Sequence, residues 1–468
     1  MKTGPIVREI STILPAAAVF ALFAGEPGSV FLDSAKDSYG MGRYSFIASD
    51  PFLTLRCKGR QVILEDSSGR QETEDDPFGV LQRLLNRYRM EKVAGLPPFT
   101  GGVIGYFGYD LGYLLEKIPG KSQDDLVLPD CWLGFYDVVI IFDHHSGKQY
   151  LAANGFPETD ETARRQRAKQ RLDEFAARIA MAAPLPTPQA QTTAAAFAST
   201  FTREEYEAAV RRCIEYIAAG DIFQVNMSQR FSAPLTMPPY EAYCYLRQIN
   251  PAPFASYLNF GEGVIASASP ERYMLLKDRD VETRPIKGTR PRGSDAVTDQ
   301  RMREELENSE KDRSELVMII DLERNDLGRV CEFGSVRVPE LIRLEEYATV
   351  FHLVSTVVGR MATDKDAVDL IRASFPGGSI TGAPKVRAME IIDELEPYQR
   401  SVYTGSIGYI DFNGDADLNI VIRTFIFKDQ QAYFQVGGAI VADSDPTAEY
   451  FETLDKGRAL FKTLGYTV

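Results

Sequence analysis

The sequence predicts an α+β fold. Short, β-rich apolar segments crowd the region between Ser29 and Tyr150, and long helices with capping signals punctuate similar segments after Thr202. The two kinds of block do not alternate as a doubly wound α/β sheet requires. A chain of 468 residues, 44% of them hydrophobic, can bury an ample core.

In chain order, the apolar run at residues 10–24 follows Lys2 and Arg8 like a secretory leader, but Glu9 ahead of it and Pro15 inside it favour a buried strand and helix. No run approaches the roughly 18 apolar residues of a membrane span. Segments 30–32, 44–48, 52–56, 61–64, 102–109 and 138–142, broken by Gly, Asp and Pro, read as mostly antiparallel sheet. A charged, Ala-rich helical run at 158–182 leads into 183–193, whose Pro, Gln and Thr content marks an extended linker. The chain therefore divides into a β-rich region at 1–155, a helix and linker at 156–200, and a catalytic region at 201–468. Beyond the linker, Thr202 with Glu205 three positions on forms a capping box for a helix that stops at Gly220. Strands follow at 225–231, 255–258, 263–268 and 272–276, then a helix at 299–322. A third helix starts at Pro384, strands occupy 405–411, 418–427 and 432–436, and a last helix runs from Asp445 towards Gly465. No internal repeat of fixed period is present.

The balance of 52 Lys+Arg against 66 Asp+Glu gives a net charge of −14, which argues against nucleic acid or an anionic membrane as the main partner. Five scattered cysteines without a Cys-x-x-Cys pair indicate neither a disulfide framework nor a zinc site, and point to a reducing cytoplasm. With only His144, His145 and His352, metal chemistry must rest on carboxylates.

Lys287, in Pro-Ile-Lys-Gly-Thr, is the leading catalytic candidate. Arg284, Arg290 and Arg292 stand close by in sequence, and like charges disfavour a further ammonium, leaving a neutral amine nucleophile. The alternative is a solvated basic turn. Glu271 could serve as a general acid if burial raised its pKa, against the tendency of Arg272 to keep it ionised; the alternative is a surface ion pair. Glu315 precedes the apolar run 316–320, while Glu449 and Glu452 share one face of the last helix. Glu315 with Glu452 would suit Mg²⁺, which takes one or two carboxylates plus waters; otherwise these are solvated helix faces. The Gly-rich stretch 375–385 is no phosphate loop of the nucleoside-triphosphatase kind, because Lys does not follow its second Gly and Pro384 removes an amide donor. It is either an anion-facing helix entry or an ordinary one. Residues 101–105 read as a close-packed strand.

These segments occur in a fixed order: FQVNMSQRF (223–231), SPERY (269–273), PIKGTRPRG (285–293), DRSELVMIIDLERNDLGRV (312–330), VFHLVSTV (350–357), FPGGSITGAPKVRAMEII (375–392), YTGSIGYI (403–410), IRTFI (422–426) and VGGAIVADSDPTAEYFET (436–453). Together with FLDSA (31–35) and GRYSFIASDPF (42–52), they resemble the chorismate-utilising enzymes, a family that includes anthranilate, aminodeoxychorismate, isochorismate and salicylate synthases. Anthranilate synthases usually carry PIAGT and GTLSGAPK, so PIKGT and GGSITGAPK resemble the aminodeoxychorismate branch. Gln224 stands where the hydrating members usually place a water-activating lysine, which argues against hydration. Anthranilate synthase component I is the nearest alternative. A catalytically silent partner on the same fold is another, but it should lack one of Lys287, Glu315 and Glu452.

The resemblance implies a large antiparallel β-sandwich with helices packed outside, its two sequence regions interleaved. It further implies Mg²⁺ on Glu315 and Glu452, with Glu449 acting through water, and chorismate contacts from Gly288, Thr289, Ser379, Tyr403, Arg423 and the amides of Gly437, Gly438 and Ala439, with His352 beside the ring. Lys287 would attack C2 while Glu271 protonates the departing C4 hydroxyl. Ammonia from a separate glutamine amidotransferase subunit would then enter at C4, towards p-aminobenzoate and folate. Some relatives bind tryptophan near the positions of Ser34, Pro253 and Phe254, although Ala255 here replaces the Met usual in feedback-inhibited anthranilate synthases.

Overall fold

Strand pairing in the chain is almost wholly antiparallel and sorts into two large sheets. The structure is a computed structural model that describes residues 4–35, 40–192, 196–346 and 350–467. Among these, each sheet holds 12 strands. The first runs Ile6–Ile10, Lys148–Ala153, Val138–Asp143, Tyr44–Ala48, Ser29–Asp33, Phe254–Asn259, Val264–Ser269, Thr424–Lys428, Gln431–Ile440, Gln224–Pro234 and Ala198–Ser199, with Gly382–Ala383 also paired to Gln224–Pro234. The second runs Ile286–Pro291, Val350–Arg360, Asp280–Thr283, Arg272–Lys277, Ala416–Asn419, Ser406–Asp411, Gly102–Phe107, Cys131–Tyr136, Leu53–Lys58, Gln61–Asp66 and Gly69–Glu74, with Arg337–Glu346 also paired to Val350–Arg360. Both sheets combine strands from either side of the Pro-rich linker. The fold is α+β, as the blocks of strand and helix predict.

Three buried layers follow from this pairing. Val30, Phe46, Ile104, Tyr106, Trp132 and Leu258 fill the space between the sheets. Helices including Ala16–Phe20, Glu161–Ile179, Pro239–Ile249 and Pro446–Thr463 cover the outer face of the first sheet. Those including Pro77–Arg87 and Glu310–Gly328 cover the second, while Lys385–Leu395 packs on Gln224–Pro234 and Gly382–Ala383 of the first. The leader-like run at 10–24 holds a buried helix, every residue of Ala16–Phe20 being buried, while Ile13 ahead of it is exposed. The linker is tied down at Gln191, whose amide donates to Pro234 O at 3.1 Å and accepts from Thr236 N at 2.9 Å.

The helix expected at 299–322 is two helices, Ala296–Glu307 and Glu310–Gly328, because the Ser309 hydroxyl caps a new start by accepting from Asp312 N. The strand expected at 418–427 is also two, Ala416–Asn419 and Thr424–Lys428, belonging to different sheets. Between them the chain crosses the sandwich, and Arg423 adopts φ 53°, a left-handed conformation that strand periodicity does not signal. Gly102–Phe107 is the close-packed strand expected: a Cβ at Gly105 would lie 2.0 Å from Trp132 O. The Cys57 and Cys131 thiols face each other at 3.1 Å on paired strands, and all five cysteines are free.

A buried ion pair joins several of these elements. Arg400 donates to Glu396 Oε1 at 2.6 Å and Oε2 at 2.9 Å, to Asn226 O at 2.6 Å and to Ile380 O at 3.2 Å. Glu396 also accepts from Ser228 N at 2.9 Å, Ser228 Oγ at 2.6 Å and Gln435 Nε2 at 3.3 Å. The pair therefore links the strands Gln224–Pro234 and Gln431–Ile440 to the loop after Ser374. Arg400→Met, which strands Glu396 in a site 3% exposed, is expected to cost about 3–5 kcal/mol of stability in urea unfolding, and a loss below about 1 kcal/mol would contradict the assignment.

Candidate active site

The lysine singled out by its sequence lies at a β-bulge. Lys287 opposes Leu353 and Thr289 opposes His352, so Gly288 is the extra residue, with φ 70°. A side chain at Gly288 would collide with Leu306 and Asp312 at 2.7 and 2.9 Å. The bulge turns the Lys287 amine inward, where it donates to Ser379 O at 3.2 Å.

Burial, opposed by the Glu315 and Glu271 charges, lowers the pKa of this amine. The flanking arginines are not the cause, contrary to the sequence expectation, because each carries its own counter-charge. Arg284 pairs with Glu345, Arg290 with Glu305 at 2.7 Å and Asp312 at 3.2 Å, and Arg292 with Asp299 at 2.6 Å.

Glu271 sits where the chain passes from Val264–Ser269 in one sheet to Arg272–Lys277 in the other. It is 7% exposed and accepts from Ser379 Oγ at 2.8 Å. Burial raises its pKa despite Ser379, Lys287 and Arg423, so its environment favours the protonated form a general acid needs. The expected opposition from Arg272 is absent, because that side chain bonds Asp417 at 3.0 and 3.1 Å and Glu282 at 3.1 Å. Ser379 thus bridges the two central groups: its carbonyl accepts from the lysine and its hydroxyl donates to the glutamate.

Arg423 acts on Glu271, and His352 lies against the Lys287 bulge. Arg423 makes no ion pair among the described residues, and burial lowers its pKa. His352 is held at about 4, mainly by burial and then by Arg423, so its ring is neutral near pH 7; Nδ1 lies 2.9 Å from Thr289 Oγ1. Tyr403 enters on the turn after Arg400, whose guanidinium carbon is 5.7 Å from the ring centroid. Gly437, Gly438 and Ala439 pair with Ser228, Met227 and Asn226, but the strand on their other side pairs no further than Phe434. Alternate amides of this stretch therefore face away from any neighbouring strand.

The three glutamates approach the same corner. Glu315 on Glu310–Gly328 is raised in pKa, mainly by burial, and its field includes Lys287 and Glu452. Glu449 is 6% exposed; Ser444 Oγ donates to its Oε1 at 2.7 Å, while its buried Oε2 has no hydrogen-bond partner. Glu452 is about half exposed at 49%; burial acts to raise its pKa, but Lys456 at 2.7 Å and Lys311 lower it overall. A Cβ at Gly438 would stand 3.0 Å from Glu449 Oε2 and 3.5 Å from Glu452 Oε1, so glycine keeps this corner open. Among the described residues no three acidic, His or Cys groups converge as a ready ligand cluster. An orphaned buried carboxylate oxygen beside other oxygen donors fits Mg²⁺, which is held by one or two carboxylates and waters. For Glu449, the solvated-face reading fails on burial. Lys456, which also donates to Gly437 O at 3.0 Å, was missed by the sequence reading although it lies four residues beyond Glu452 on the same helix.

Ser34, Pro253 and Phe254 do not join this site. They line a separate cavity of about 400 Å³ with Met41, Arg272 and Asn419. There Ser34 Oγ donates to Tyr44 O at 2.7 Å and to Pro253 O at 3.3 Å, and Arg272 lies over the Phe254 ring at 5.1 Å.

Comparison with known proteins agrees with this geometry. Residues 30–462 match the family described as chorismate binding enzyme. The chain is 42% identical over 447 residues to aminodeoxychorismate synthase component 1 of Escherichia coli (strain K12), covering 95% of each protein. It is equally similar, 42% over 452 residues, to anthranilate synthase component 1 of Thermus thermophilus, covering 96% of this chain and 95% of that one. The crystal structure of anthranilate synthase component I from Streptococcus pneumoniae TIGR4 matches with a TM-score of 0.78 and 34% identity, over 90% of this chain and 93% of that one. The chain belongs to the chorismate binding enzyme family.

Proposed function

We propose that the protein aminates chorismate at C4 to give 4-amino-4-deoxychorismate, the reaction of an aminodeoxychorismate synthase component I, in the cytoplasmic supply of p-aminobenzoate for folate. The observation that carries this reading is the half-buried Lys287 amine set beside buried Glu271, both bonded to Ser379. A neutral amine is a competent nucleophile and a protonated carboxyl a competent acid, and here one environment, low in water, favours both forms. Lys287 attacks C2, and the C4 hydroxyl leaves as water with the Glu271 proton. Ammonia then bonds to C4 and the lysine amine departs from C2; the new ammonium returns a proton to Glu271. The ammonia comes from a glutamine amidotransferase partner.

The unpaired Arg423 guanidinium suits the enolpyruvyl carboxylate, and His352 lies beside the ring as a neutral group. Gly288, Thr289, Tyr403 and the open amides among Gly437, Gly438 and Ala439 complete the cradle. Glu315 and Glu452, with Glu449 through water, would hold Mg²⁺, which supplies positive charge for the ring carboxylate when bound. The cavity at Ser34, Pro253 and Phe254 is proposed to take tryptophan, with Ala255 also on its wall.

A second reading, anthranilate synthesis, is favoured by the equal identity to an anthranilate synthase. Incubation with chorismate, Mg²⁺ and an ammonium salt separates the two: product that becomes p-aminobenzoate only after a lyase is added supports the first, and direct anthranilate fluorescence overturns it. Glu271→Gln is expected to lower ammonia-dependent kcat by about 10²–10⁴-fold, the range for a lost general acid. The wild-type rate should rise with pH as Lys287 loses its proton and fall as Glu271 loses its own. The alkaline fall should vanish in Glu271→Gln, and a profile that keeps it would remove Glu271 from the role. EDTA should abolish turnover and added Mg²⁺ restore it; turnover that survives chelation would contradict the metal assignment.

A further inference from the structure

The Ser379 carbonyl has a second donor besides the lysine. Asn226 Nδ2 donates to the same oxygen at 3.3 Å, alongside the 3.2 Å bond from Lys287 Nζ. A carbonyl oxygen carries two lone pairs, and these two donors fill both. Asn226 is itself fixed through both of its backbone polar groups: its N–H donates to Thr381 O at 2.9 Å and its carbonyl accepts from Arg400 Nη2 at 2.6 Å. Arg400 also holds Ile380 O at 3.2 Å, and the Thr381 hydroxyl holds Gly377 O at 2.8 Å. The segment just after Ser379 is therefore tied to the strand Gln224–Pro234, and the Asn226 side chain reaches the carbonyl of the turn Gly378–Ile380 to which the nucleophile donates.

We infer that Asn226 is a positioning residue for the nucleophile: by occupying one lone pair of the Ser379 carbonyl, it sets the direction and the acceptor strength of the atom to which the Lys287 amine is tethered. Two effects follow. The carbonyl cannot swing away from Lys287 without breaking the Asn226 bond, so the amine keeps one orientation. The shared oxygen also has less electron density to offer, so it stabilises an ammonium less than an unshared carbonyl would. The lowered pKa of Lys287, caused first by burial, agrees with that direction. The other charged groups whose fields reach the amine are Glu315, Glu271, Lys456 and Glu452, and none forms an ion pair with Lys287 among the described residues.

This inference rests on the proposed role of Lys287, so its test reads the lysine itself as well as turnover. Asn226→Val removes the donor, and Asn226→Asp keeps the shape while opposing oxygen to oxygen. The rate of Lys287 modification by trinitrobenzenesulfonate is followed against pH by peptide mass spectrometry, without substrate and in EDTA, alongside kcat and the chorismate KM. Both variants should move the midpoint of Lys287 modification to higher pH. They should also lower kcat about tenfold, the factor one lost hydrogen bond represents, with KM changed less than about twofold. An unmoved midpoint, or an unchanged kcat, in variants that keep the wild-type thermal midpoint overturns the inference. A drop in thermal midpoint with wild-type modification behaviour would mark Asn226 as merely structural and overturn it equally. If instead Lys287→Ala retained full ammonia-dependent turnover, the proposed nucleophile would fail while the modification curves still reported on Asn226.

Discussion

The buried contact between Glu396 and Arg400 is the constraint on which the site's geometry depends. Two opposite charges almost out of water hold together only with good geometry and with their remaining donors and acceptors satisfied. Here those bonds go to Ser228, Gln435, Asn226 and Ile380, which belong to two neighbouring strands and to the loop that carries Ser379. The ion pair therefore fixes where the loop stands relative to the sheet. Ser379 passes that placement on in two directions, through its carbonyl to Lys287 and through its hydroxyl to Glu271.

Electrostatics at the centre follow from exclusion of water more than from any single neighbour. Burial favours the neutral form of every titratable group, so it lowers an amine and raises a carboxyl at the same time. Lys287 and Glu271 show these opposite shifts, and each partly offsets the other by attraction. Arg423 remains as a cation without an ion-pair partner among the described residues, His352 stays neutral, and Glu315, Glu449 and Glu452 act on one another as a group of carboxylates. The arrangement sets a buried arginine and a neutral histidine near the central pair, and a corner of carboxylates with Lys456 and Lys311 around them.

Local signals were legible in the sequence, and distant partners were not. The Thr202–Glu205 capping box forms as expected because all its atoms lie within one turn. So does the Asp445 cap before Pro446. The ordered motifs pointed to Lys287, Glu271 and the three glutamates as candidates because residue type and order can be read without knowledge of the fold. The neutralisation of Arg284, Arg290 and Arg292 was hidden, since Glu345, Glu305, Asp312 and Asp299 are assigned to them only by folding. Arg272 misled for the same reason, its partners Glu282 and Asp417 being assigned to it only by folding. Cys131–Tyr136 was missed as a strand: all its residues are buried, so it lacks alternation, and unlike the equally buried Val138–Asp143 its apolar run is interrupted by Gly134. The break at Ser309 and the left-handed Arg423 are single-residue events inside otherwise periodic segments.

The account turns on whether the Lys287 amine bonds to substrate. The most direct measurement is intact-protein and peptide mass spectrometry of the enzyme quenched with chorismate and Mg²⁺ in the absence of ammonia. The account predicts added mass equal to chorismate less one water, located on the peptide bearing Lys287 and released when ammonia is supplied. Turnover with ammonia while the Lys287 peptide keeps its unmodified mass throughout the ammonia-free reaction, or an adduct on another residue, would contradict it.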